Sequence, residues 1–196
     1  MKKQKKGKKR ATPARKARKK SVPSVSPPVP GPAPSPPQGP GPPPGAPPED
    51  GSGPILAEAA SALQSGRPRD ALGLLSRVLA QEPDNPDALN LAGIAAFQTG
   101  DGAEARSLLE TAVAFRPGFA DALNNLGNVL KAEGVLGDSE DAYRRALEAR
   151  PGYLDAEYNL GITQEAQGRF TDAEAAYRRC LELDPGFAPA DLSHVI

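Results

Sequence analysis

The stretch from Asp121 to Gly134, DALNNLGNVLKAEG, decides how the rest of the chain is read. It sets Leu123, Leu126 and Leu130 at three- and four-residue steps, which is one face of a helix, and it ends on Gly134, a residue suited to a tight turn. Beyond that glycine, Tyr143, Ala146 and Leu147 resume helical spacing until Pro151. A proline ring keeps the residue before it out of the α region, so a second helix stops there. The stretch and its continuation predict a pair of helices joined by a turn at Gly134.

Working outward, the same punctuation recurs at a fixed interval. Pro83, Pro117, Pro151 and Pro185 are each 34 residues apart, and so are Gly66, Gly100, Gly134 and Gly168. Ala59, Gly93, Gly127 and Gly161 form a small-residue column, as do Ala71, Ala105, Ser139 and Ala173. Leu75, Leu109, Tyr143 and Tyr177 form a large one, and Val78, Ala112, Ala146 and Cys180 a third that stays mostly small. Four units follow, at 52–85, 86–119, 120–153 and 154–187. One unit cannot bury its apolar face alone, and stacked units share a continuous core. The predicted fold is all-α, a right-handed solenoid whose first helices make a concave inner surface. Small columns such as Gly127 and Ala146 let helix axes approach, while Tyr143 and Tyr177 fill the space beside them as packing residues. Asp87, Asp121 and Asp155 open the following helices, where a carboxylate can satisfy free amides and face the positive end of the helix dipole.

The segments AYRRALEARPGY, AEYNLGITQEAQGRF and AEAAYRRCLELDPGF, with the 34-residue period, resemble the tetratricopeptide repeat family in its bacterial form. The resemblance covers 52–187. The first unit departs most, with Ala62 and Leu75 where later units carry larger or aromatic residues and Pro68 in its turn, and it reads as an atypical N-terminal cap. The resemblance implies a protein or peptide partner held in the concave groove.

Residues at i, i+3 and i+7 of each first helix point into that groove. They nominate Asn90 (or Leu91), Ile94, Phe97 and Gln98 in the second unit, Asn125, Asn128 and Lys131 (or Ala132) in the third, and Asn159, Ile162 and Glu165 in the fourth. An asparagine amide both donates and accepts, so a column of them can hold an extended backbone without reading its side chains. The competing reading is a merely solvated polar face. Protein O-GlcNAc transferases look similar here, with an inner ladder of asparagines; Asn125 and Asn159 match that column, while the second unit has Leu91. Lys131 is the one obvious base of the groove, and the acidity of the domain favours a basic or neutral segment.

Little else suggests chemistry. A single cysteine and a single histidine, Cys180 and His194, exclude an internal disulfide framework and any Cys- or His-rich metal site. There is no phosphate-binding glycine loop and no histidine beside a candidate nucleophile. Cys180 shares its column with Val78, Ala112 and Ala146 and reads as a buried small residue. The paired arginines Arg144–Arg145 and Arg178–Arg179 sit among acids at ion-pair spacing on the outer helices. The expectation is a non-enzyme that uses no cofactor and no metal.

The formal net charge of zero over 196 residues conceals two regions of opposite sign. Twelve of the 24 bases precede position 21, among them Lys2, Lys3, Lys5, Lys6, Lys8, Lys9 and Arg10, whereas residues 49–196 hold all 24 acids and a net charge of −12. Residues 1–20 are expected to form a disordered polybasic arm, able to meet nucleic acid or an anionic membrane through phosphate contacts alone, since no aromatic is interleaved for base stacking. Contact with the acidic domain is the competing reading. Residues 21–51, which hold 14 prolines from Ser21 to Pro48, are expected to be an extended linker. Residues 188–196 start like a further first helix and stop, so an apolar end is expected to be open to a partner, a second copy or further sequence. The basic start is followed by Pro, Gly and Ser rather than a secretory apolar core, and a cytoplasmic location is expected. Function is expected to be that of an interaction scaffold, or else of the substrate-recognition arm of a larger O-GlcNAc-transferase-like enzyme.

Overall fold

A computed structural model describes residues 51–187. The expectations for the basic arm, most of the proline-rich linker and the terminal segment therefore lie outside the described residues. Eight helices follow in order: α1 (Ser52–Gln64), α2 (Pro68–Gln81), α3 (Pro86–Thr99), α4 (Gly102–Phe115), α5 (Ala120–Ala132), α6 (Leu136–Ala149), α7 (Leu154–Ala166) and α8 (Phe170–Leu183). No strand occurs among the described residues. This is the all-helical solenoid that the periodicity predicts.

Local chemistry sets the helix ends. Glu82, Arg116, Arg150 and Asp184, each followed by proline, leave the helical region with φ from −128° to −140° and ψ from 72° to 99°. Inside each unit the turn glycine takes the left-handed conformation, Gly134 at φ +78°. Pro68 is not in a turn. It opens α2, where its missing N–H is not needed.

The expected capping by Asp87, Asp121 and Asp155 is corrected. Asn85 caps α3 by accepting from the amides of Asp87 and Ala88, and α5 and α7 begin without a side-chain cap. All three aspartates stay in the first helical turn, but the carboxylates of Asp87 and Asp121 clasp the far end of the same unit. Arg116 donates to both oxygens of Asp87, at 3.0 and 2.7 Å, and Arg150 to both of Asp121, at 2.8 and 2.7 Å. Each guanidinium also lies 4.5 Å over an aromatic ring, Phe119 or Tyr153. The last unit lacks this clasp, because Asp184 stands in the column of Arg116 and Arg150, opposite Asp155.

Packing follows the columns. A Cβ on Gly93 would lie 2.6 Å from Cγ of Leu109, and one on Gly127 2.5 Å from a ring carbon of Tyr143, so the small column brings the two helices of a pair together. Each helix packs on the next in sequence, and the odd helices also touch along the stack: α1 with α3, α3 with α5, α5 with α7. The even helices form no comparable series, so the odd ones make the inner, more tightly spaced layer. The core runs from Ala59, Leu75 and Val78 through Leu109, Leu123 and Ala146 to Tyr177 and Cys180, all buried. Cys180 lies within it as its column predicts.

Candidate functional site on the inner layer

The inner layer carries a recess of about 430 Å³ between α3 and α5. Ile94, Phe97 and Val129 give it apolar walls, Leu109 lies beneath, and Gln98, Asn125, Asn128 and Lys131 supply its polar groups. Leu109 occupies the column that Tyr143 and Tyr177 fill in the later units, and its shorter side chain leaves room that a tyrosine would take. Phe97 remains 39% exposed, a large apolar surface on an inner helix.

Of the residues nominated from the sequence, the structure gathers Ile94, Phe97, Asn125, Asn128 and Lys131 around this recess. Asn90, Asn159 and Ile162 lie elsewhere. Asn90 is buried and accepts from the Asn125 amide at 2.9 Å. Asn159 accepts from the Lys131 ammonium at 2.9 Å and donates to Asn124 at 3.3 Å. Ile162 packs against Ala173 and Tyr177.

The asparagines form a ladder that the single-column comparison misses. Its rungs join neighbouring columns, Asn125 to Asn90 and Asn159 to Asn124, so Leu91 does not interrupt it. Asn124 escapes a reading made one column at a time, although its 34-residue spacing from Asn90 stands in the sequence. Part of the amide capacity is thereby spent within the protein. Asn128, which lines the recess, accepts from the Tyr143 hydroxyl at 2.8 Å, and its N–H groups have no partner among the described residues.

Electrostatics overturn the expectation of an acidic groove at this place. Among the described residues, Lys131 is the one charged side chain lining the recess, and burial lowers its pKa because little water remains to solvate the ammonium. The Tyr143 ring lies 5.8 Å from its Nζ. Burial likewise raises the pKa of the Tyr143 hydroxyl, which stays protonated as the donor to Asn128. The recess is thus an apolar slot with neutral amides and one poorly solvated cation. No group of three or more His, Cys, Asp or Glu side chains among the described residues is placed to hold a metal ion. No helix among them is long and apolar enough to cross a membrane.

Sequence models of the tetratricopeptide repeat match residues 62–127 and 118–185. No curated protein matches the sequence significantly. Among solved structures, the chain is similar to MamA, at 24% identity and a TM-score of 0.63 over 69% of this chain and 79% of that one. It is similar to TTC0263, a thermophilic TPR protein of Thermus thermophilus, at 21% identity and a TM-score of 0.62, covering 68% and 75% of the two chains. It is also similar to the O-GlcNAc transferase of Thermobaculum terrenum, at 34% identity and a TM-score of 0.60, covering 65% of this chain and 26% of the enzyme.

Proposed function

Because the chain belongs to the tetratricopeptide repeat family, a family of protein-interaction scaffolds, we propose that it is a non-catalytic adaptor of the cytoplasm that holds an extended peptide segment along its inner layer. The recess between α3 and α5 carries this reading. It takes one large apolar side chain against Ile94 and Phe97. The free N–H groups of Asn128 and the oxygen of Asn125 hold the neighbouring peptide groups, while buried Asn90 braces Asn125 and Asn159 braces Lys131 from within the protein. Lys131 favours a neutral or acidic segment over a basic one, since a second cation beside a poorly solvated ammonium is repelled. The basic residues Lys2, Lys3, Lys5, Lys6, Lys8, Lys9 and Arg10 add a salt-sensitive, sequence-independent attraction to polyanions.

Peptides selected from a random library against the full chain test the reading. Titration calorimetry should show binding weakened roughly tenfold or more by Phe97→Ala and by the double change Asn125→Ala/Asn128→Ala, the loss typical of a central contact. Peptides that bind both variants as tightly as the parent would place the partner on another surface.

A second reading has one observation in its favour, the 34% identity to an O-GlcNAc transferase of which this chain spans 26%. In that reading the solenoid presents acceptor proteins to a catalytic part outside this sequence. The mass of the native protein in its own cells separates the two. A mass well above that of these 196 residues favours the recognition arm, and a matching mass the adaptor.

A further inference from the structure

The junction between the third and fourth units is locked by a buried carboxylate. Glu140 on α6 accepts from Arg144 one turn later at 2.6 Å, and from Arg169, in the turn before α8, at 2.6 and 2.8 Å; Arg169 in turn pairs with Asp172. The following unit covers Glu140, which is left only 7% exposed.

Each half of this lock recurs at an end of the stack, in the same columns. At the C-terminal end, Glu174 and Arg178 on α8 repeat Glu140 and Arg144 one unit later, with the same one-turn pairing. No described element covers them, and the Glu174 side chain is 45% exposed. At the N-terminal end, Arg67 and Asp70 repeat Arg169 and Asp172 three units earlier, again paired with one another and each 59% exposed. One end thus carries the carboxylate half and the other the guanidinium half.

The surface around Arg67 has the shape of an unfilled junction. A groove of about 330 Å³ is lined there by Glu58, Ala62, Asp70, Gly73, Leu74 and Arg77. Those six columns are the ones that Leu126, Leu130, Asp138, Asp141, Ala142 and Arg145 fill in the groove between α4 and α6. In that internal groove the opposite wall comes from the preceding unit, through Arg106, Glu110, Val113 and Pro117 on and just after α4. The same columns hold Glu174, Arg178 and Leu181 on α8 and Pro185 just after it.

We propose that copies of this chain stack head to tail, α8 of one copy seating on the α1–α2 face of the next. Glu174 then lies between its own Arg178 and the neighbouring copy's Arg67, as Glu140 lies between Arg144 and Arg169. Such a contact joins two different surfaces and propagates along a filament unless its rotation closes a ring.

Light scattering and sedimentation of the full chain over a range of concentrations test this. Mass should rise with concentration and fall with added salt, because the lock is ionic. Glu174→Arg sets two arginines against each other, and Arg67→Glu two glutamates, so each alone should weaken association by about tenfold or more. Circular dichroism confirms that both variants fold. Mixing the two variants restores both charge complements, and association should return. A parent chain that stays monomeric at every concentration overturns the proposal. So does association that survives either single change, or that fails to return on mixing.

Discussion

Gly127 on α5 and Tyr143 on α6 are fitted so closely that a Cβ on the glycine would fall 2.5 Å from the tyrosine ring. The ring is fully buried, and its hydroxyl is engaged by Asn128 on the inner layer, so it cannot swing aside without breaking that bond. Gly127→Ala, which ordinarily favours a helix, is therefore expected to destabilise the protein by about 1–3 kcal/mol in thermal or denaturant unfolding. Gly73→Ala is the internal control, since nothing lies within 4 Å of a Cβ there. It should stabilise α2 by about 0.4–1 kcal/mol. Equal effects at the two sites would remove the steric account.

Stability should fall in acid in a way that Glu140 controls. Burial alone would raise its pKa, but bonds from Arg169 and Gln164 and the charge of Arg144 outweigh burial and hold it below the usual carboxylate range. A carboxyl whose folded pKa is depressed contributes stability that is present above its unfolded pKa and lost as pH falls through the folded one. The unfolding free energy of Glu140→Gln should thus lie below that of the parent at neutral pH, by about 1–3 kcal/mol, and the two curves should converge as the solution is acidified below the ordinary carboxylate range. Parallel curves would assign the acid sensitivity elsewhere. Asp121, lowered chiefly by the Arg150 bond, adds a smaller contribution of the same sign because its pair is half exposed.

Cys180 should behave as a packing residue. Burial first, and the nearby Glu157 second, raise its thiol pKa to about 11, so almost no thiolate exists at neutral pH. Alkylation of the native protein is expected to be slow and to accelerate on unfolding. Rapid labelling of the folded chain would contradict the burial.

Helices, turns and core columns are legible because each rests on local punctuation: Pro151 acts on Arg150, Gly134 on its own turn, and the apolar spacing on one face. What escapes the sequence depends on which column of one unit meets which column of the next. Asp121 looks like a cap until Arg150, 29 residues on, is seen to reach back to it. The asparagine ladder looks broken at Leu91 until the rungs are seen to run diagonally. Glu140 reads as a surface partner of Arg144 because a charged residue on an outer helix is ordinarily solvated, yet the next unit buries it. The recess is hidden for a related reason. It arises from Leu109 being smaller than the tyrosines of its column, and that shows as space only once α5 is laid beside α3.

Lys131 separates stability from binding. Its ammonium is held in the protein at a desolvation cost that burial makes its leading influence, and one amide oxygen, that of Asn159, partly compensates. For a base whose folded pKa lies below its unfolded one, the cost is fully present below the folded pKa and is lost as pH rises from the folded toward the unfolded value. Lys131→Met keeps the length and apolar stem while removing the charge. It is expected to leave stability unchanged or raise it by up to about 1 kcal/mol, while weakening the binding of neutral or acidic peptides selected against the parent chain. The two readouts should move in opposite directions. A variant that lost stability together with binding would show that the lysine holds α5 to α7 through Asn159, and that the recess owes its cation to packing rather than to a ligand.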